Sequence, residues 1–123
     1  MKVRYECTAL CGVARLGAPQ FVRAMTLRAS KPFGRRGLTL DGCSAFPVGR
    51  GGSDATIKVK ARLYVGDAGG DPVALLDAAL RDVIQEMAAA VAVPVSVRSV
   101  EVTEATTTDA YRTRVEANLE NEF

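Results

Sequence analysis

The sequence predicts an α+β domain: a mainly antiparallel, twisted sheet with one amphipathic helix packed on it. Two patterns carry this prediction. Several stretches alternate apolar and polar residues with the period of two that a half-buried strand requires, and one stretch has apolar residues at helical spacing. The chain of 123 residues is 48% hydrophobic, the length of one domain spanning 1–123 with a sizeable core. The expected order is strand, strand, long loop, strand, helix, strand, strand, with more strand than helix.

The first strand covers residues 2–9, where Val3, Tyr5, Cys7 and Ala9 oppose Lys2, Arg4, Glu6 and Thr8. Beyond Gly12 and the Gly17-Ala18-Pro19 break, Phe21, Arg23, Met25, Leu27 and Ala29 share one parity. That parity predicts a second strand over 20–29, although Arg23 sits on its apolar side. Residues 30–55 are rich in glycine and hold Pro32 and Pro47, with Leu38-Thr39-Leu40 as one short apolar patch. They are expected to form an extended Gly/Arg-rich loop that projects from the sheet, because so little burial cannot offset the entropy of ordering it.

The second half of the chain has the clearer pattern. Ile57, Val59, Ala61, Leu63 and Val65 alternate with Lys58, Lys60, Arg62 and Tyr64, a strand with one apolar and one basic face. Asp71 is a good N-cap and Pro72 a good first helical residue. Val73, Leu76, Leu80, Val83, Ile84, Met87 and Val91 then form one stripe of a helix of about five turns, which Pro94 stops. Val95 and Val97 have the opposite parity to Val100 and Val102. One strand can bury both pairs only with an extra residue, so a β-bulge is expected near Arg98-Ser99. Residues 103–109 form a polar tip, and Tyr111, Thr113, Val115, Ala117 and Leu119 a last strand.

Composition narrows the chemistry. With no His and no Trp, Ser-His and Cys-His nucleophile pairs are excluded within the chain, and Ser44 and Ser53 have no imidazole to activate them. Cys7, Cys11 and Cys43 are an odd number of thiols without His, a poor zinc set, and read as buried reduced cysteines. The Gly49-Arg50-Gly51-Gly52 stretch lacks the ending of a phosphate-binding loop, and no carboxylate pair stands out. The expectation is a non-enzymatic protein with no cofactor, metal or membrane partner. Met1–Glu6 lacks the apolar run of a signal peptide, which predicts intracellular synthesis.

Charge is the most informative feature. Residues 1–70 carry twelve Lys or Arg against four Asp or Glu, and residues 71–123 carry four against ten, so a net of +2 hides a polarised chain. The halves can neutralise each other within one fold, the basic half can meet nucleic acid, or basic and acidic surfaces of successive copies can meet. The sequence favours self-association. The interaction residues singled out are Arg35, Arg36 and Arg50 in the loop and Lys58, Lys60 and Arg62 on the basic strand.

From the strand at Thr56–Val65, through the helix at Leu75–Leu80, to the closing segment Tyr111–Leu119, the chain is similar to the tail-terminator and neck proteins of long-tailed bacteriophages. It differs from them in beginning with a strand. The resemblance implies a homo-oligomeric ring subunit of a virion, assembled in the host cytoplasm beside other structural proteins; a tube, baseplate or decoration subunit stays open. The alternative is a small nucleic-acid-binding module that uses the basic loops and the basic strand.

Overall fold

The computed structural model describes residues 3–66 and 70–105, and of residues 50 and 51 the backbone alone. Four strands form one antiparallel sheet in the order β2-β3-β1-β4, with β1 at Val3–Ala14, β2 at Thr39–Gly51, β3 at Asp54–Val65 and β4 at Val95–Glu104. A single 3₁₀ turn (Arg15–Gly17), α1 (Ala18–Arg28) and α2 (Ser30–Arg35) connect β1 to β2, and α3 (Pro72–Ala90) connects β3 to β4. Each crossover thus spans two strands with a third between them. These are the two interleaved split βαβ units of a ferredoxin-like arrangement. The α+β class and the excess of strand over helix are as the sequence predicts.

The element order is not. Residues 20–29 are helical rather than extended, and the reason is visible in burial. Ala18, Phe21, Met25, Ala29, Pro32 and Phe33 are all buried, a stripe at steps of three and four that runs through both helices. Arg23 and Leu27, which the parity placed with the apolar set, face outward. Ala29 keeps helical dihedrals (φ −69°, ψ −23°) between α1 and α2, and Pro32 falls in the first turn of α2, where its missing N–H costs little.

The extended loop expected over 30–55 is likewise absent: α2, β2 and the start of β3 occupy it. β2 hides its alternation because its register with β3 shifts twice, at Leu40/Gly42 and at Pro47/Gly49. As an edge strand it tolerates Pro47 and its glycines. A two-residue turn at Gly52-Ser53 closes the β2–β3 hairpin, with Gly52 supplying the positive φ of 60°.

Other expectations hold. The Val73 amide donates to the Asp71 carboxylate at 3.0 Å, and Pro72 opens α3. Leu76, Leu80, Val83, Ile84 and Met87 are buried, whereas Val73 at the first turn is 47% exposed. α3 ends in a Schellman motif: the Val93 and Ala92 amides donate to the carbonyls of Ala88 and Ala89, with Ala92 at φ 55°. The bulge lies where the valine parity put it, with Leu10 opposite Ser99 and Cys11 opposite Val97, so Arg98 is the extra residue. The strand expected at Tyr111–Leu119 lies outside the described residues.

The helices pack on one face of the sheet. That face is built of small residues at its centre, with Cys7 opposite Ala61 and Ala9 opposite Val59, all with 0% exposure. Phe21, Met25, Phe33, Leu76, Leu80 and Ile84 from the helices fill the space above them. Among the described residues no helix is long and apolar enough to cross a membrane.

Candidate functional site

Because Ala55, Ile57, Val59, Ala61, Leu63 and Val65 face the helices, strand pleating sends Thr56, Lys58, Lys60, Arg62 and Tyr64 to the opposite face. No described element packs on that side. The cations at 58, 60 and 62 therefore stand in file, about 6.7 Å apart at two residues of strand rise each. Across the sheet Lys58 is flanked by Phe46 on β2 and Leu10 on β1, Lys60 by Ser44 and Thr8, and Arg62 by Gly42 and Glu6. Tyr64 is flanked by Thr39 and Arg4. A depression of about 280 Å³ lies beside the file, lined by Gly42, Cys43, Ser44, Lys60 and Arg62.

The electrostatics of this face are open. Arg62 approaches Glu6 at 3.9 Å and Arg4 approaches Asp41 at 3.6 Å, both half-exposed pairs of little energetic consequence. Among the described residues Lys58 and Lys60 have no ion-pair partner. A further cation comes from the bulge: the Arg98 Nη1 donates to the Thr56 hydroxyl at 3.0 Å, reaching from β4 over β1 to β3.

The six residues singled out from the sequence thus separate. Lys58, Lys60 and Arg62 share the uncovered face. Arg35 and Arg36 sit at the end of α2, in the helix layer, and both reach Glu86 of α3, at 3.0 and 3.7 Å. There the basic and acidic halves of the chain do neutralise each other. Arg50 lies near the end of β2, opposite Ala55. Sequence reading missed Phe46, Arg4 and Arg98 as members of the face. Arg98 had a signal, the parity break that marks the bulge. Phe46 had none, since the bulges of β2 scramble its alternation.

Two other features lie outside this file of cations. Cys7 and Cys11 are buried free thiols and Cys43 is half-buried and free; burial pushes all three pKa values up to about 11. They are poor nucleophiles at neutral pH. An apolar cavity of about 390 Å³ lies between α1 and the β2–β3 hairpin, lined by Ala18, Pro19, Val22, Pro47 and Ile57 among others. Leu16, next in the chain to the lining residue Arg15, is 94% exposed.

No family model matches the chain, and no curated protein matches it. Among solved structures it is similar to the full extracellular region of zebrafish Gpr126/Adgrg6, with a TM-score of 0.56 and 14% identity over 84% of this chain and 13% of that one. The likeness is one of fold. The solution structure of the C-terminal domain of the MgtC protein from Mycobacterium tuberculosis aligns over 84% of this chain and 87% of that one, at 22% identity and a TM-score of 0.47.

Proposed function

We propose that this protein is a non-catalytic binding module that holds a single-stranded nucleic acid along the uncovered face of its sheet. The observation behind the proposal is the file of Lys58, Lys60 and Arg62, flanked on the same face by the rings of Phe46 and Tyr64. A spacing of about 6.7 Å along the strand suits consecutive phosphates of an extended single strand. Side-chain rings offer stacking surfaces that accept any base. A four-stranded face is too broad for the major groove, which admits a helix or a two-stranded ribbon, so a duplex is disfavoured.

Fluorescence anisotropy with a labelled 12-nucleotide strand tests this. Three phosphate contacts predict a slope of log K against log salt of about −2, and adding Arg4 takes it to about −2.8. The variant Lys58→Ser/Lys60→Ser should flatten the slope by about 1.4. Absence of binding at low salt, or an unchanged slope in the variant, would defeat the proposal.

A second reading is a self-assembling structural subunit, of which a ring component of a phage tail or neck is the specific form. Leu16 favours it, being a bare apolar side chain next in the chain to Arg15, which lines an apolar cavity that a neighbouring copy can fill. Light scattering at high concentration, with Leu16→Ser as the control, separates the two readings: a monomer that binds strands excludes the second.

A further inference from the structure

Phosphate binding needs cations that stand up from the sheet into solvent, and Arg98 does not do this. It is the extra residue of the β4 bulge, and its side chain lies down across the neighbouring strand. A Cβ placed on Gly12 would come within 2.7 Å of Nη2 and 3.1 Å of both Cζ and Nε. The Nη2 end is nearest, so the guanidinium passes close over Gly12. Its Nη1 donates to the Thr56 hydroxyl at 3.0 Å, which fixes its orientation. The floor is flat because the row beneath holds only small residues, with Gly12 opposite Thr56 on β3 and opposite Ser96 on β4.

The guanidinium is thus held between Gly12 and Thr56, and Arg98 is an exposed residue. We infer that Arg98 is a stacking platform for one nucleobase of the bound strand, held in place by the bulge, by Thr56 and by the absence of a side chain at Gly12. This rests on the sheet-face reading above and specifies what it binds: a strand with a base at this position, rather than any polyanion. The physical case is that guanidinium is planar and weakly hydrated, and stacks on π-faces as an ammonium cannot. Fixing it beforehand removes the rotamer entropy that a free arginine would lose on binding. In the adjacent row Leu10 and Phe46 flank Lys58 on the same face, so an apolar surface continues from the platform towards the file of cations.

The test compares a 12-nucleotide DNA strand with an abasic strand of equal length and charge, bound to the full chain. The wild type should prefer the base-bearing strand by roughly a hundredfold or more, from three stacked bases at about 1 kcal/mol or more each. Arg98→Lys keeps the charge and loses the plane. It should bind the abasic strand as the wild type does while its preference falls by about five- to tenfold, the remainder coming from Phe46 and Tyr64. Gly12→Ala lifts the guanidinium without changing any charge and should reproduce that loss; Thr56→Val, which frees Nη1, should do so in part. Retention of the full preference in both Arg98→Lys and Gly12→Ala overturns the platform while leaving the sheet-face reading intact. If neither strand binds the wild type, the sheet-face reading itself falls.

Discussion

Gly17 is the N-cap of α1, with φ −97° and ψ −5°, a conformation open to alanine. Its need for glycine is one of space: a Cβ there would lie 2.6 Å from both Cγ1 and Cγ2 of Val93. Val93 cannot easily retreat, because its amide is tied to the Ala88 carbonyl at 3.0 Å and the residue is 8% exposed. Relieving the contact requires a shift approaching 1 Å, and overpacking of this kind costs about 1–3 kcal/mol. Val93→Ala removes both methyl groups, a loss of about 1.5 kcal/mol of burial plus a small cavity term. It also removes the clash. The double variant Gly17→Ala/Val93→Ala should therefore be more stable than the sum of the singles by about 1–2 kcal/mol. The chain has no Trp, so urea denaturation followed by far-UV circular dichroism is the assay, with m unchanged throughout. A Gly17→Ala variant within about 0.5 kcal/mol of wild type, or a cycle additive to that margin, refutes the argument that this approach is tight.

Two further outcomes follow from the fold and the thiols. Ala92 holds a left-handed conformation (φ 55°) that costs an L-residue about 1 kcal/mol; Ala92→Gly should be neutral to stabilising by about 0.5 kcal/mol despite the greater freedom of glycine when unfolded, and a clear loss in urea melts would contradict the Schellman geometry. The three thiols, raised from 9.0 to about 11 by burial, should react slowly with a disulfide reagent at pH 8 and fully in denaturant. Their raised folded pKa values support folding below pH 9, and that support fades as pH rises towards 11; three fast-reacting thiols in the native protein would refute this.

What the sequence disclosed, and what it did not, divides along a physical line. β1, β3 and α3 each bury one face against a single partner layer, so a regular period survives in Val3–Ala9, Ile57–Val65 and Leu76–Met87. The bulge at Arg98 was legible because valine parity changes across it. α1 was misread because Phe21, Met25 and Ala29 are four apart and so satisfy both a period of two and a helical period. Ala18 and Pro32, at steps of three, distinguish the two. β2 was misread as loop because an edge strand needs neither continuous pairing nor β-propensity at every position. Half of the candidate face, Lys58, Lys60 and Arg62, could be read from alternation alone. The other half, Phe46, Arg4 and Arg98, depends on which strands lie side by side, and pairing between distant segments is absent from any local pattern.

The irregularity of β2 bears on how copies of this chain can meet. Two register shifts and a proline interrupt its outer edge, and such interruptions stop another strand from adding there. Of the described strands, only β4 offers a second edge. A filament of continuous sheet needs two growing ends on every copy, and the described strands offer at most one. Pairing through β4 would join the described strands of two copies around a dyad, bounded on both sides by β2, and there the growth would end.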